Sequence, residues 1–117
     1  MSIPPINSSS DFQLPQTVQQ EARQIAKGIQ KDLNKLLIDT KNRTITPGEA
    51  TDLFYSLQQK MGELTKLEST YPGMFTPQQK ETTNSLNEQI ITMAQQISTI
   101  TPGQLEDALS TAQSLYF

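Results

Sequence analysis

The chain has no cysteine, no histidine and no tryptophan, and only 6% of its 117 residues are aromatic. Without cysteine there is neither a disulfide framework nor a thiolate nucleophile. Without histidine it lacks the side chain that ordinarily exchanges protons near neutral pH, and with it the commonest metal ligand. The expectation is therefore a non-enzymatic protein with no catalytic, cofactor-binding or metal-ligating residues. No apolar run approaches the ~20 residues that cross a bilayer, so no transmembrane segment is expected. The opening stretch, MSIPPINSSSDFQLPQ, lacks the basic start and apolar middle of a cleaved export signal. The five glycines are isolated from one another, which leaves no phosphate-cradling loop. A net charge of −3 and a pI near 4.8 argue against nucleic acid as the main partner.

Apolar residues make up 34% of the chain and charged ones 18%, and Gln, Thr, Ser and Asn fill much of the remainder. A chain of this length forms one domain with a modest core. Its clearest local signal is an echo: ITPGEATDL starts at Ile45 and ITPGQLEDAL at Ile100. In each, a threonine (Thr46, Thr101) can accept from a free N–H at a helix start. Proline follows at the first helical position (Pro47, Pro102), where its missing N–H costs nothing. Glu49 and Gln104, three residues after the threonines, complete a reciprocal capping box. FTPQQ repeats the pattern with Thr76, Pro77 and Gln79. Helices are thus expected to begin at about 46, 76 and 101.

Apolar periodicity fills the intervals. Val18, Ala22, Ile25, Ile29, Leu33 and Leu36 recur at spacings of three and four, which predicts a helix from Pro15 to about Asp39. Ala50, Leu53, Leu57, Met61, Leu64 and Leu67 mark a second helix that ends near Thr70, ahead of the Pro-Gly turn in YPGMF. Leu86, Ile90, Met93, Ile97 and Ile100 form a heptad seam for a third. Leu105, Ala108, Leu109, Ala112 and Leu115 define a short fourth. No alternating segment predicts a strand. The fold class is all-α: a small antiparallel bundle, or an elongated hairpin, of three long helices and a short C-terminal one. It spans residues 15–117, preceded by a flexible arm over 1–14, where Pro4, Pro5 and the run Ser8, Ser9, Ser10 show no periodicity. Gly28 and Gly62 fall inside helices, where glycine costs about 1 kcal/mol; close approach of another helix, from this chain or a second copy, would explain each.

The candidate functional residues are partner-binding ones. Arg23, Lys27, Lys31 and Lys35 form a basic ladder roughly opposite the first apolar stripe, and Lys41 and Arg43 extend it. The ladder is either a docking face or a solvated face balanced by Glu21 and Asp32. From Thr44 onward, Lys60, Lys66 and Lys80 stand against eight acidic residues, a polarity that also suits head-to-tail association of copies. Ile91 lies off the third seam, and Tyr116 and Phe117 close the sequence with bulky rings; each is a core or an interface residue. Phe54 is the better core candidate beside Tyr55. Carboxylates form no enzyme signature: Glu106 and Asp107 are adjacent, and Asp39, Glu49 and Asp52 lie near helix ends.

The arm MSIPPINSSSDF resembles the uncleaved export signals of bacterial type III secretion substrates, and the remainder is similar in layout to the small, Gln/Ser/Thr/Asn-rich helical proteins such systems export or assemble. The resemblance implies a secreted interaction protein, an effector or an assembly component, that acts through helix–helix contacts with a protein partner or with itself. It transfers no individual functional residue, since no diagnostic subunit motif is matched, and the chain departs from needle subunits in having four helical segments. The alternative is a cytoplasmic adaptor or chaperone, or a phage virion-assembly protein, with the arm as a tether.

Overall fold

The computed structural model describes residues 3–115, with side chains from Thr17 onward. Four α-helices make up the described residues: α1 (Ile3–Lys41), α2 (Pro47–Thr70), α3 (Pro77–Ala94) and α4 (Pro102–Gln113). Short 3-10 turns at Pro72–Met74 and Ile97–Thr99 lie between α2 and α3 and between α3 and α4. α1 begins ahead of the expected Pro15. The flexible arm expected over residues 1–14 falls on residues whose side chains lie outside the described set, and Tyr116 and Phe117 lie outside it altogether.

The helices pack as a ring. α1 contacts α2 and α4, α2 contacts α3, and α3 contacts α4. Side-chain contacts fix the directions: Lys35 reaches Glu49 while Asp32 reaches Lys60, so α1 and α2 are antiparallel. Lys41 reaches Glu106 while Gln30 reaches the Ala112 carbonyl, so α4 is antiparallel to α1 as well. Short connections make the remaining neighbours antiparallel, and α3 therefore runs parallel to α1 on the opposite side of the ring. This is a closed up-and-down bundle; the elongated hairpin is excluded.

The expected stripes fill the centre. Ala22, Ile29, Leu33, Leu36, Leu57, Met61, Leu64, Leu86, Ile90 and Leu105 are buried together, with Ile25, Leu53 and Leu67 half-buried against them. Phe54 belongs to the core and Tyr55 does not. Thr83, a buried polar side chain, resolves its hydroxyl by donating to the Gln79 carbonyl at 2.8 Å.

Helix ends follow the expected chemistry with one exception. Thr76 and Thr101 form reciprocal capping boxes with Gln79 and Gln104. Thr46 caps the Glu49 N–H at 3.1 Å, but the reciprocal half is missing because the Glu49 carboxylate turns to the Lys35 ammonium, 3.3 Å away on α1. A charged acceptor prefers a cation to a neutral N–H. The third seam is also shorter than expected. α3 stops at Ala94, and Ile97 and Ile100 reach the core from the 3-10 turn and the residue after it. α1 ends two residues beyond the expected Asp39 in a Schellman arrangement: Thr44 N–H donates to the Asp39 carbonyl and Arg43 N–H to that of Thr40. Arg43 occupies the left-handed position, with φ 58°, where glycine is usual.

Candidate interaction surface

The basic ladder stands where the sequence placed it. Arg23, Lys27, Lys31 and Lys35 are all exposed, because α1 spends one side on the core, one on α2 and one on α4. Helical spacing puts Lys27, Lys31, Asn34 and Ile38 along the remaining outward line. Ile38 is 47% exposed, a large apolar side chain set among cations. Sequence periodicity did not single it out, because it follows directly on the buried pair Leu36 and Leu37. The signal was an apolar residue in heptad step with Lys31.

One of the two expected balancing acids, Asp32, turns away from the ladder. Asp32 faces α2, where its carboxylate accepts from the Lys60 ammonium and from the Ser56 hydroxyl, each at 2.8 Å. Lys60 also donates to Ser56. Gly28 makes room for this clamp: a Cβ there would lie 2.8 Å from the Lys60 side-chain Cε. The close approach expected at Gly28 is real, and the approaching group is a lysine stem. At Gly62 no atom of this chain lies within 4 Å of the added carbon, so no helix of the same bundle approaches there. The clamp was hidden in the sequence because Asp32 and Lys60 are far apart in the chain and neither belongs to a recognisable motif.

Lys35 is held at the α2 edge of the ladder by Asp39 at 2.9 Å and by Glu49. Hydrogen bonding to Asp39 and then to Glu49 raises the Lys35 pKa. Hydrogen bonding with the Glu49 carboxyl, followed by the Lys35 ammonium, lowers that of Asp39. Among the described residues Lys27 and Lys31 have no ion-pair partner.

Across the ring, α3 presents a face whose exposed charges, Glu81 and Glu88, are negative, with the half-buried Lys80 at its lower end. Ile91, 40% exposed, is confirmed as a surface residue. Helical spacing lines it up with Asn84, Glu88 and Gln95, and Glu81 lies one turn below Asn84 and Ser85 on the same exposed side. A groove of 420 Å³ between α3 and α4 opens beside this face and is lined by Ser85, Glu88, Gln89, Thr92, Gln104 and Asp107. The buried Gln89 Oε1 in that groove accepts no hydrogen bond among the described residues. Every formal charge lining it is negative.

The described residues contain no cluster of three or more potential metal ligands, and no described helix is long and apolar enough to cross a membrane. The chain matches no family model, no curated protein and no solved structure, which leaves the chemistry of its surface as the guide to what it does.

Proposed function

We propose that this chain is a helical protein–protein interaction protein, exported without a cleaved signal through a type III secretion pathway, that acts by helix–helix contact. The exposure of Ile38 among Lys27, Lys31 and Lys35 carries the interaction reading. An apolar anchor rimmed by charge suits a docking helix, whose contact core is apolar and whose rim is polar. The resemblance of MSIPPINSSSDF to export signals supports the pathway. A small bundle with a modest core, marginal in stability as such domains are, also suits unfolding before passage through a narrow channel.

The test is direct. Residues 1–20 are fused to a reporter, and its release is compared between a type III-competent bacterium and a strain lacking the secretion ATPase. Release from the competent strain alone is expected. Equal retention in both would remove the pathway and move the interaction role to the cytoplasm or to a virion.

A further inference from the structure

We infer that the outward face of α1 binds the outward face of α3 on a second copy of the chain, building an open-ended row of bundles. This deepens the interaction reading above and is independent of export.

The two faces are complementary in sign and alike in layout. Each carries a single exposed isoleucine, Ile38 among lysines and Ile91 on a face whose exposed charges are Glu81 and Glu88, with Lys80 half-buried at its lower end. If Ile38 of one copy lies beside Ile91 of the next with the helices parallel, the exposed acids of α3 fall level with or next to lysines of α1. Ile91 follows Glu88 by three positions as Ile38 follows Lys35 by three; Lys27, eleven before Ile38, comes level with the half-buried Lys80, eleven before Ile91, and next to the exposed Glu81, ten before it. Lys31 then falls between Glu81 and Glu88. The antiparallel alternative sets Lys31 against Ser98 and Lys27 against Pro102, where there is no acid. Charge pairing therefore selects the parallel arrangement, as like-for-unlike placement selects register in any helix pair.

The fold makes that arrangement repeatable. α1 and α3 are parallel and lie on opposite sides of one bundle, so a copy docked through its α3 still offers its own α1. Two different patches meeting head to tail form a ring only where the rotation between copies closes; parallel helices on opposite sides of the bundle relate successive copies by a shift, so the row stays open. The groove beside Glu88 strengthens the choice of a lysine-bearing partner. Glu88 and Asp107 line it, and an ammonium supplies a charge of the opposite sign with three donors. One helix face is small beside the ~800 Å² per partner of a standard interface, so the contact is weak and read by its dependence on concentration and salt.

Sedimentation of the full chain across a concentration series provides the test. At low salt the weight-average mass is expected to climb past twice 13.1 kDa without a plateau. It should return to 13.1 kDa in about 1 M salt, where screening reaches only ~3 Å. K27E/K31E and E81K/E88K are each expected to stay monomeric, and an equimolar mixture of the two to associate again, because each supplies the sign the other has lost. Helical content and melting by circular dichroism establish that both variants fold; K27Q/K31Q and E81Q/E88Q replace them if either does not. A wild-type mass fixed at 13.1 kDa at every concentration, a plateau at a dimer, or a folded mixture that stays monomeric would each overturn the proposal. Export of the reporter fusion is untouched by any of these outcomes.

Discussion

Where α1 meets α2, charged side chains close across the interface: Asp32 takes Lys60 and Ser56, and Lys35 takes Glu49. Where α3 meets α4, apolar side chains do the holding, no ion pair involves α3 among the described residues, and Gln89 leaves an acceptor unpaired. The two sides bury similar aliphatic residues yet differ in what sits at the rim of the contact. Polar partners fix which height on α1 faces which height on α2, since a one-turn slip would strand Asp32 beside no cation. α3 is positioned chiefly by burial and by its capped start, and no ion pair takes up its acids among the described residues.

The largest effect tests what the two sides share. Leu57→Ala on α2 and Leu86→Ala on α3, both fully buried, are each expected to cost about 2–5 kcal/mol in chemical denaturation, from lost transfer energy and the cavity left behind. A clear inequality would show that one side collapses around the gap better than the other.

Next comes the rim itself. Asp32→Ala removes the acceptor of a clamp whose lysine and aspartate side chains are only 28% and 15% exposed, and it is expected to cost about 1–3 kcal/mol. Glu88→Ala on α3 is expected to stay within about 0.5 kcal/mol of the parent. Equal losses at the two positions would erase the distinction drawn between the rims.

The two helical glycines sharpen it further, because they should respond with opposite signs. Gly62→Ala adds a methyl to open space and is expected to gain about 1 kcal/mol. Gly28→Ala pushes the Lys60 stem away from Asp32. Its melting temperature should fall below that of Gly62→Ala, and Gly28→Ala made in a Lys60→Ala background should show the helix-propensity gain relative to Lys60→Ala alone. Arg43→Gly relieves the left-handed residue that ends α1 and is expected to stabilise by about 0.5–1 kcal/mol.

The smallest effect is a pH dependence. The Asp39 pKa is lowered in the folded state, so its contribution is present above the ordinary value of 3.8 and is lost as pH falls through the lower folded value. Lys35 is raised, so its contribution is present below 10.5 and is lost as pH rises through the higher folded value. Lys35→Met should flatten both edges of the melting-temperature profile; an unchanged profile would mean that the pair is fully solvated and contributes nothing.

Much of this architecture was legible in the sequence because its determinants are local. A threonine, a proline and a residue three positions on specify a helix start without reference to the rest of the chain, and the starts at Thr46, Thr76 and Thr101 are where that logic puts them. Apolar periodicity located the core for the same reason. What stayed hidden depended on who arrives from elsewhere in the chain. Glu49 left its capping box because α1 brings Lys35 to it, and Asp32 left the basic ladder because α2 brings Lys60 and Ser56. Ile97 and Ile100 kept heptad spacing after the helix had stopped, since a 3-10 turn can also deliver side chains inward. Of the interaction surface, the ladder and Ile91 were visible as deviations from the stripes. Ile38 was not, because its neighbours are apolar for a different reason.

Three of the four seams in the ring join helices that are adjacent in the chain, and only α1 with α4 joins distant ones, as the bond from Gln30 to the Ala112 carbonyl across 82 positions shows. Short-range seams close early at small entropic cost, while the long-range seam must wait for the whole intervening chain to be arranged. α4 is thus the expected last arrival during folding. Until it docks, the trough that receives Leu105, Ala108 and Ala112 stands open along α1 and α3, and a helix from any other molecule that mimics this amphipathic strip can compete for it.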